Sequence, residues 1–171
     1  MEARRAQVHP DTLAYTVWEE MLASQMRALY FGELVSRYQR LDRMLGVALL
    51  ILTSGAAATI LSRLPDAFYW ITASLATASA AVSAWRLLGR YADYAARAAD
   101  LHLQWNHLAA DYEGLWNNLY ADNAEARLAE LQARGRELSK ASTQFPAKKR
   151  MLIRWWDYVS AQNLAKYGSR A

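Results

Sequence analysis

The 171-residue sequence contains no cysteine, which removes disulfides, thiolate catalysis and Cys-based zinc sites at once. Glycine and proline are scarce too, at 7 and 3 residues, so strand and turn punctuation is thin and long helices are favoured. The few glycines are scattered. They form no phosphate-binding loop and no nucleophile elbow, and no helical HExxH is present. An enzyme is therefore not expected, and neither a cofactor nor a catalytic or metal-ligating residue is assigned. The chain also lacks a 20 to 50 residue repeat, a low-complexity tract and a long linker. No secretory signal is visible, because the first apolar run begins only after Glu19, Glu20, Glu33 and Asp42.

Charge is missing from one place in particular. Between Met44 and Trp85 only Arg63 and Asp66 are ionisable at neutral pH, although 21% of the whole chain is charged. The mean hydropathy of -0.14 averages over that unevenness. What remains is 54% hydrophobic, long enough for one domain with a core, and reads as all-α. The net charge of +4 and a pI near 9.4 suit basic flanks of a membrane segment as well as a nucleic-acid binder, and do not choose between them.

Two uncharged runs, Met44 to Ser62 and Ala67 to Trp85, each have 19 residues. At 1.5 Å per residue each covers roughly 28 Å of a hydrocarbon core about 30 Å thick. Between them "RLPD" reads as a tight turn, with Pro65 disfavouring helix at Leu64 and Asp66 near the positive start of the next helix. Phe68, Tyr69 and Trp70 at one end of the second run, and Trp85 at the other, are ring types that favour a membrane interface. Arg27, Arg37, Arg40, Arg43, Arg86, Arg90 and Arg97 lie on the terminal side, against Arg63 alone in the loop. The expectation is a two-transmembrane helical hairpin in the inner membrane, with both termini cytoplasmic. A soluble bundle with a buried hairpin is the alternative.

Within a single structural domain, residues 1–43 then form a cytosolic lead-in helix, 44–85 the hairpin, and 86–171 a cytosolic stalk helix followed by two further helices. "HPD" before Thr12 is a helix start signal with Asp11 as a cap, and Leu34, Tyr38, Leu41 and Leu45 carry a packing face into the first run. After the second run, Leu87, Tyr91, Tyr94, Ala98, Leu101, Trp105, Leu108, Tyr112, Leu115 and Leu119 alternate by four and three, a heptad seam. Extended backwards the register passes through Ala84, Ala80, Thr77 and Ala73, so one unbroken helix is expected from hairpin to cytosol. Leu101, Trp105, Leu108, Tyr112 and Leu115 are the candidate stalk or oligomer seam. Two more helices are expected, Ala124 to about Ser139 with Leu128, Leu131 and Leu138 inward, and Ala147 to about Lys166.

Three groups of polar residues invite a functional reading. Thr72, Ser79 and Ser83 share a narrow small-polar stripe of the second run, a candidate pore lining; ordinary close helix packing explains such a stripe as well. "SGAAAT", Ser54 to Thr59, is a small-residue patch that could meet it. Lys148, Lys149, Arg150 and Arg154 surround Leu152, Trp155 and Trp156 on a basic-aromatic helix suited to anionic lipid or an anionic ligand, or to packing its tryptophans on the other helices. His102 and His107 are five apart and therefore point different ways, which fits packing or surface roles better than metal ligation. Asp111 with Glu113, and Glu19 with Glu20, read as solvated charge.

This layout, with its short "SRLPD" loop and the "RYADYAARAADLHLQWNHLAADYEGLW" helix leaving the membrane, resembles a SLATT domain, the SMODS and SLOG-associating two-transmembrane effector of prokaryotic conflict systems. The resemblance spans roughly residues 11–135. It implies an oligomeric pore-forming or membrane-disrupting antiviral effector, released by a nucleotide-producing enzyme or sensor during phage infection. No catalytic residue is carried over. The partners expected are the lipid bilayer, further copies of the chain and such a cytosolic sensor or enzyme; nucleic acid is not among them. A non-conducting membrane-anchored scaffold and a soluble helical interaction module are the alternatives.

Overall fold

The computed structural model describes residues 10–54 and 69–168, and the fold is all-α. Five helices are described: α1 (Pro10–Thr53), α2 (Tyr69–Gly89), α3 (Tyr91–Trp116), α4 (Ala124–Ser142) and α5 (Lys149–Tyr167). At 44 residues α1 is about 66 Å long, and it begins on Pro10, the residue whose missing N–H costs nothing at a first helical position. Asp11 thus falls inside the first turn instead of capping it. The chain divides into two compact units, one of residues 1–33 with 98–171 and one of residues 34–97.

The first unit is a four-helix core. Along α1, Val17, Met21, Ser24, Ala28 and Phe31 alternate by four and three and are all buried. On α3 the same spacing buries Ala98, Leu101, Trp105, Leu108, Tyr112 and Leu115. Matched seams on two helices pack by burying one apolar stripe against another. Polar ties fix the pairing. His102 donates Nδ1–H to the Ala28 carbonyl at 2.7 Å, its Nε2 accepting from Asn106, and its ring fills the space left by Gly32. From α4, Leu128, Leu131 and Leu138 face inward, as their spacing predicts. From α5 come Met151, Val159, Asn163 and Tyr167, with Asn163 held by Gln25 at 2.6 Å.

In the second unit α1 and α2 run antiparallel: Arg86 pairs with Asp42 at 3.2 Å, while Ser83, three residues earlier, shares a cleft with Leu49, seven residues later. Gly46 leaves the Arg86 guanidinium room beside α1. No helix among the described residues is long and apolar enough to cross a membrane. The remainder of the first uncharged run (55–62), most of "SGAAAT", the "RLPD" turn and Phe68 lie outside the described residues.

The unbroken helix expected from hairpin to stalk is corrected. It stops at Gly89 and restarts at Tyr91, because Arg90 adopts φ 43°, a left-handed conformation that L residues with side chains resist. The cause is local packing. Tyr91 folds back so that its ring stacks near Tyr38 and its hydroxyl accepts from Trp85 Nε1 at 2.9 Å. A β-carbon at position 89 would lie 2.4 Å from that ring, so glycine is needed there. Arg90 is held in turn by Asp93 at 2.7 Å.

Candidate functional site: an exposed apolar surface

Large apolar side chains normally close on one another, and among the described residues of 34–97 most do not. Met44 and Leu50 are each 69% exposed, Trp85 64%, Leu87 78% and Leu88 84%, with Leu41, Val47, Ile51 and Trp70 also open. Only Leu34 and Ala95 are fully buried hydrophobics among the described residues of this unit. The Ala73, Thr77, Ala80 and Ala84 register is exposed as well. Exposed large apolar side chains in this number mark a region that meets lipid or protein.

Three hydroxyls within the surface are satisfied by the backbone. Ser74 donates to the Trp70 carbonyl at 2.7 Å, Thr77 to Ala73 at 2.9 Å and Thr53 to Leu49 at 2.8 Å. Each bond closes on the preceding turn of its own helix, so these three donors are not left open to an apolar solvent.

The stripe proposed as a pore lining divides. Ser79 and Ser83 are half-buried, and Ser83 faces the cleft with Asp42, Leu49, Arg86 and Tyr91. The Thr72 side chain lies outside what is described. The seam residues Leu101, Trp105, Leu108, Tyr112 and Leu115 are each no more than 3% exposed within the single chain, packed in the first unit. The seam ends at Ala98 and Leu115: Leu87 is open and Leu119 only partly covered, since the helix is interrupted at Arg90 and stops at Trp116.

On α5 the basic-aromatic cluster also divides. Lys148, Lys149 and Arg150 are exposed at the helix start, where no acidic residue lies in the first turn. Arg154 and Trp155 are both held by Glu33, the indole Nε1–H donating at 2.8 Å. Glu33 is a residue the sequence left without a role.

Buried polar atoms collect on the inner face of the first unit. Tyr112 and Ser24 are buried with hydroxyls that have no hydrogen-bond partner among the described residues. Burial first, and the nearby Glu20 second, push the Tyr112 phenol well above its ordinary range, while Arg27, Arg134 and Arg136 pull it down. Burial also pushes the Arg27 guanidinium down, partly offset by Glu20. No cluster of three or more His, Cys, Asp or Glu suited to a metal occurs among the described residues.

Compared with known proteins, the chain matches no family model, no curated protein and no solved structure.

Proposed function

We propose that this chain acts at a membrane, where the two uncharged runs within residues 34–97, Met44 to Ser62 and Ala67 to Trp85, enter the lipid and assemble with further copies into a permeabilising complex. The observation that carries the proposal is the apolar surface from Leu41 to Leu88, left uncovered while the first unit closes its own core. The internally bonded hydroxyls of Ser74 and Thr77 support it, because they let a Ser- and Thr-bearing helix sit in an apolar medium. The resemblance to two-transmembrane effectors supplies permeabilisation and a place in antiviral defence. The inner membrane, with cytoplasmic termini, is the location that the arginine distribution favours.

The test has two stages. In alkaline carbonate extraction the expressed chain should stay in the membrane pellet; recovery in the supernatant would sink the proposal. Induction should then admit a membrane-impermeant dye. If the chain is retained in the pellet but no dye enters, the non-conducting anchor replaces the pore.

That second reading has an observation of its own, since Ser83 is turned onto α1 instead of outward. Ser83→Leu separates the two. A lining residue predicts dye entry reduced with insertion and assembly intact, whereas a packing residue predicts a hairpin that inserts or assembles poorly.

A further inference from the structure

A cleft of about 420 Å³ opens in the first unit, lined among others by Arg27, Tyr30, Phe31, Trp105, Ser139 and Phe145. That volume lies within the range of small-molecule sites. Its lining joins aromatic walls to one cation, and the cation is unusual. Arg134, Arg154, Arg86, Arg90, Lys140 and Lys166 each pair with a carboxylate. Arg27 has none within ion-pair distance among the described residues. Its guanidinium lies 4.7 Å from the Trp105 ring centroid, and its one hydrogen bond to a side chain, to Ser139 Oγ, is long at 3.5 Å. Glu20 acts on it from beyond ion-pair distance, and a half-buried guanidinium with no carboxylate in contact has lost hydration that an anion would replace.

The remaining lining fits a ring. Phe31 lies edge-on to Tyr30 at 5.3 Å and to Phe145 at 5.5 Å, and all three rings, nearly buried, line the cleft. Tyr30 is fixed by donating its hydroxyl to the Pro146 carbonyl. Trp105 is oriented by its Nε1–H on Ser142 Oγ at 3.3 Å, and Ser142 and Thr143 spend their own protons on backbone carbonyls. Arg27 and Ser139 therefore remain as the cleft's donors to a ligand. The exposed Lys148, Lys149 and Arg150 follow directly on Ala147, a lining residue, and raise the positive potential nearby.

We propose that this cleft binds a planar aromatic anion, a ring system bearing a phosphate or a carboxylate, with the acid group on Arg27 and Ser139 and the ring among Tyr30, Phe31 and Phe145. The site does not depend on whether the chain conducts. Calorimetry on the purified full chain, in one detergent throughout, would use adenosine 5′-monophosphate and indole-3-acetate as the two acids, with adenosine and inorganic phosphate as separate halves. At least one acid should bind about tenfold or more tightly than either half, and which one does so separates phosphate from carboxylate. Arg27→Gln should weaken that acid about tenfold, and Ser139→Ala by a smaller factor with an unchanged melting temperature. Arg134→Gln, at an exposed ion pair, should leave binding as it was. Failure of both acids at millimolar concentration would overturn the site, as would equal binding of a half, or full affinity retained in Arg27→Gln and Ser139→Ala alike.

Discussion

Leu108 lies on the heptad seam and Leu88, twenty positions earlier, lies one place after the seam residue Leu87, yet the first is fully buried and the second 84% exposed. The contrast extends to their units. In residues 98–168 and the start of α1, apolar side chains meet one another across matched seams and the polar residues between them are tied by Glu33, Asp111 and Glu113. Among the described residues of 34–97 most large apolar side chains face outward; Arg86 on α2 pairs with Asp42 on α1, and Tyr38 on α1 stacks near Tyr91 and Tyr94 at the start of α3. Hydrophobic content alone therefore does not say where a core is. A side chain that satisfies itself within the chain stabilises the fold, and one left open stabilises an association.

The largest effect should separate the units directly. Leu108→Ala removes a fully buried side chain and should cost about 2–5 kcal/mol, read as faster hydrogen exchange in α3 and α4. Leu50→Arg replaces an open side chain, so helicity should hold while membrane retention falls. An Arg at the centre of a lipid-embedded helix costs about 2.5–3.5 kcal/mol. Retention of Leu50→Arg and Leu88→Arg in the carbonate pellet at wild-type level would break the comparison.

The all-α fold and the inward faces of α3 and α4 were legible because Leu, Trp and Tyr recur there at helical spacing without polar interruption. The α1 seam was harder to see, since its centre is Ser24 and Ala28, residues that pack well yet carry no hydrophobic signal. The break at Arg90 was hidden for a different reason. It depends on the Tyr91 ring folding towards Tyr38, a contact fifty-three residues away that no local propensity encodes. The cleft around Arg27 was equally invisible, because its walls come from α1, α3, α4, the residues before α5 and Leu152 of α5. What the sequence showed of the exposed surface was its lack of charge; that many of its side chains find no cover among the described residues emerges only from the fold.

A smaller effect tests how complete the first unit's closure is. Tyr112→Phe deletes a buried hydroxyl that has no partner among the described residues, keeping the ring in the seam. Removing an unsatisfied polar atom should raise stability by about 1 kcal/mol instead of lowering it. Denaturant midpoints of the two proteins check the sign. A loss of stability would mean that the hydroxyl is satisfied, and that this inner face is less dry than its exposure indicates.

The smallest effect concerns the rim of the same unit. Glu113 accepts hydrogen bonds from Lys166 and from the Tyr167 hydroxyl, both at 2.6 Å, and these, Lys166 foremost, hold its carboxyl below the ordinary range against a weaker opposing contribution from burial. A carboxyl depressed in the folded state contributes stability above its unfolded value and loses it as pH falls through the lowered one. Melting temperature should therefore decline between about pH 5 and pH 3. Glu113→Gln should flatten part of that decline. The flattening should be slight, because water screens the partly open pair, and should be visible at Tyr167, whose ring packs against Trp18 and Trp116. An unchanged pH profile in Glu113→Gln would show that this unit is held by its seams alone.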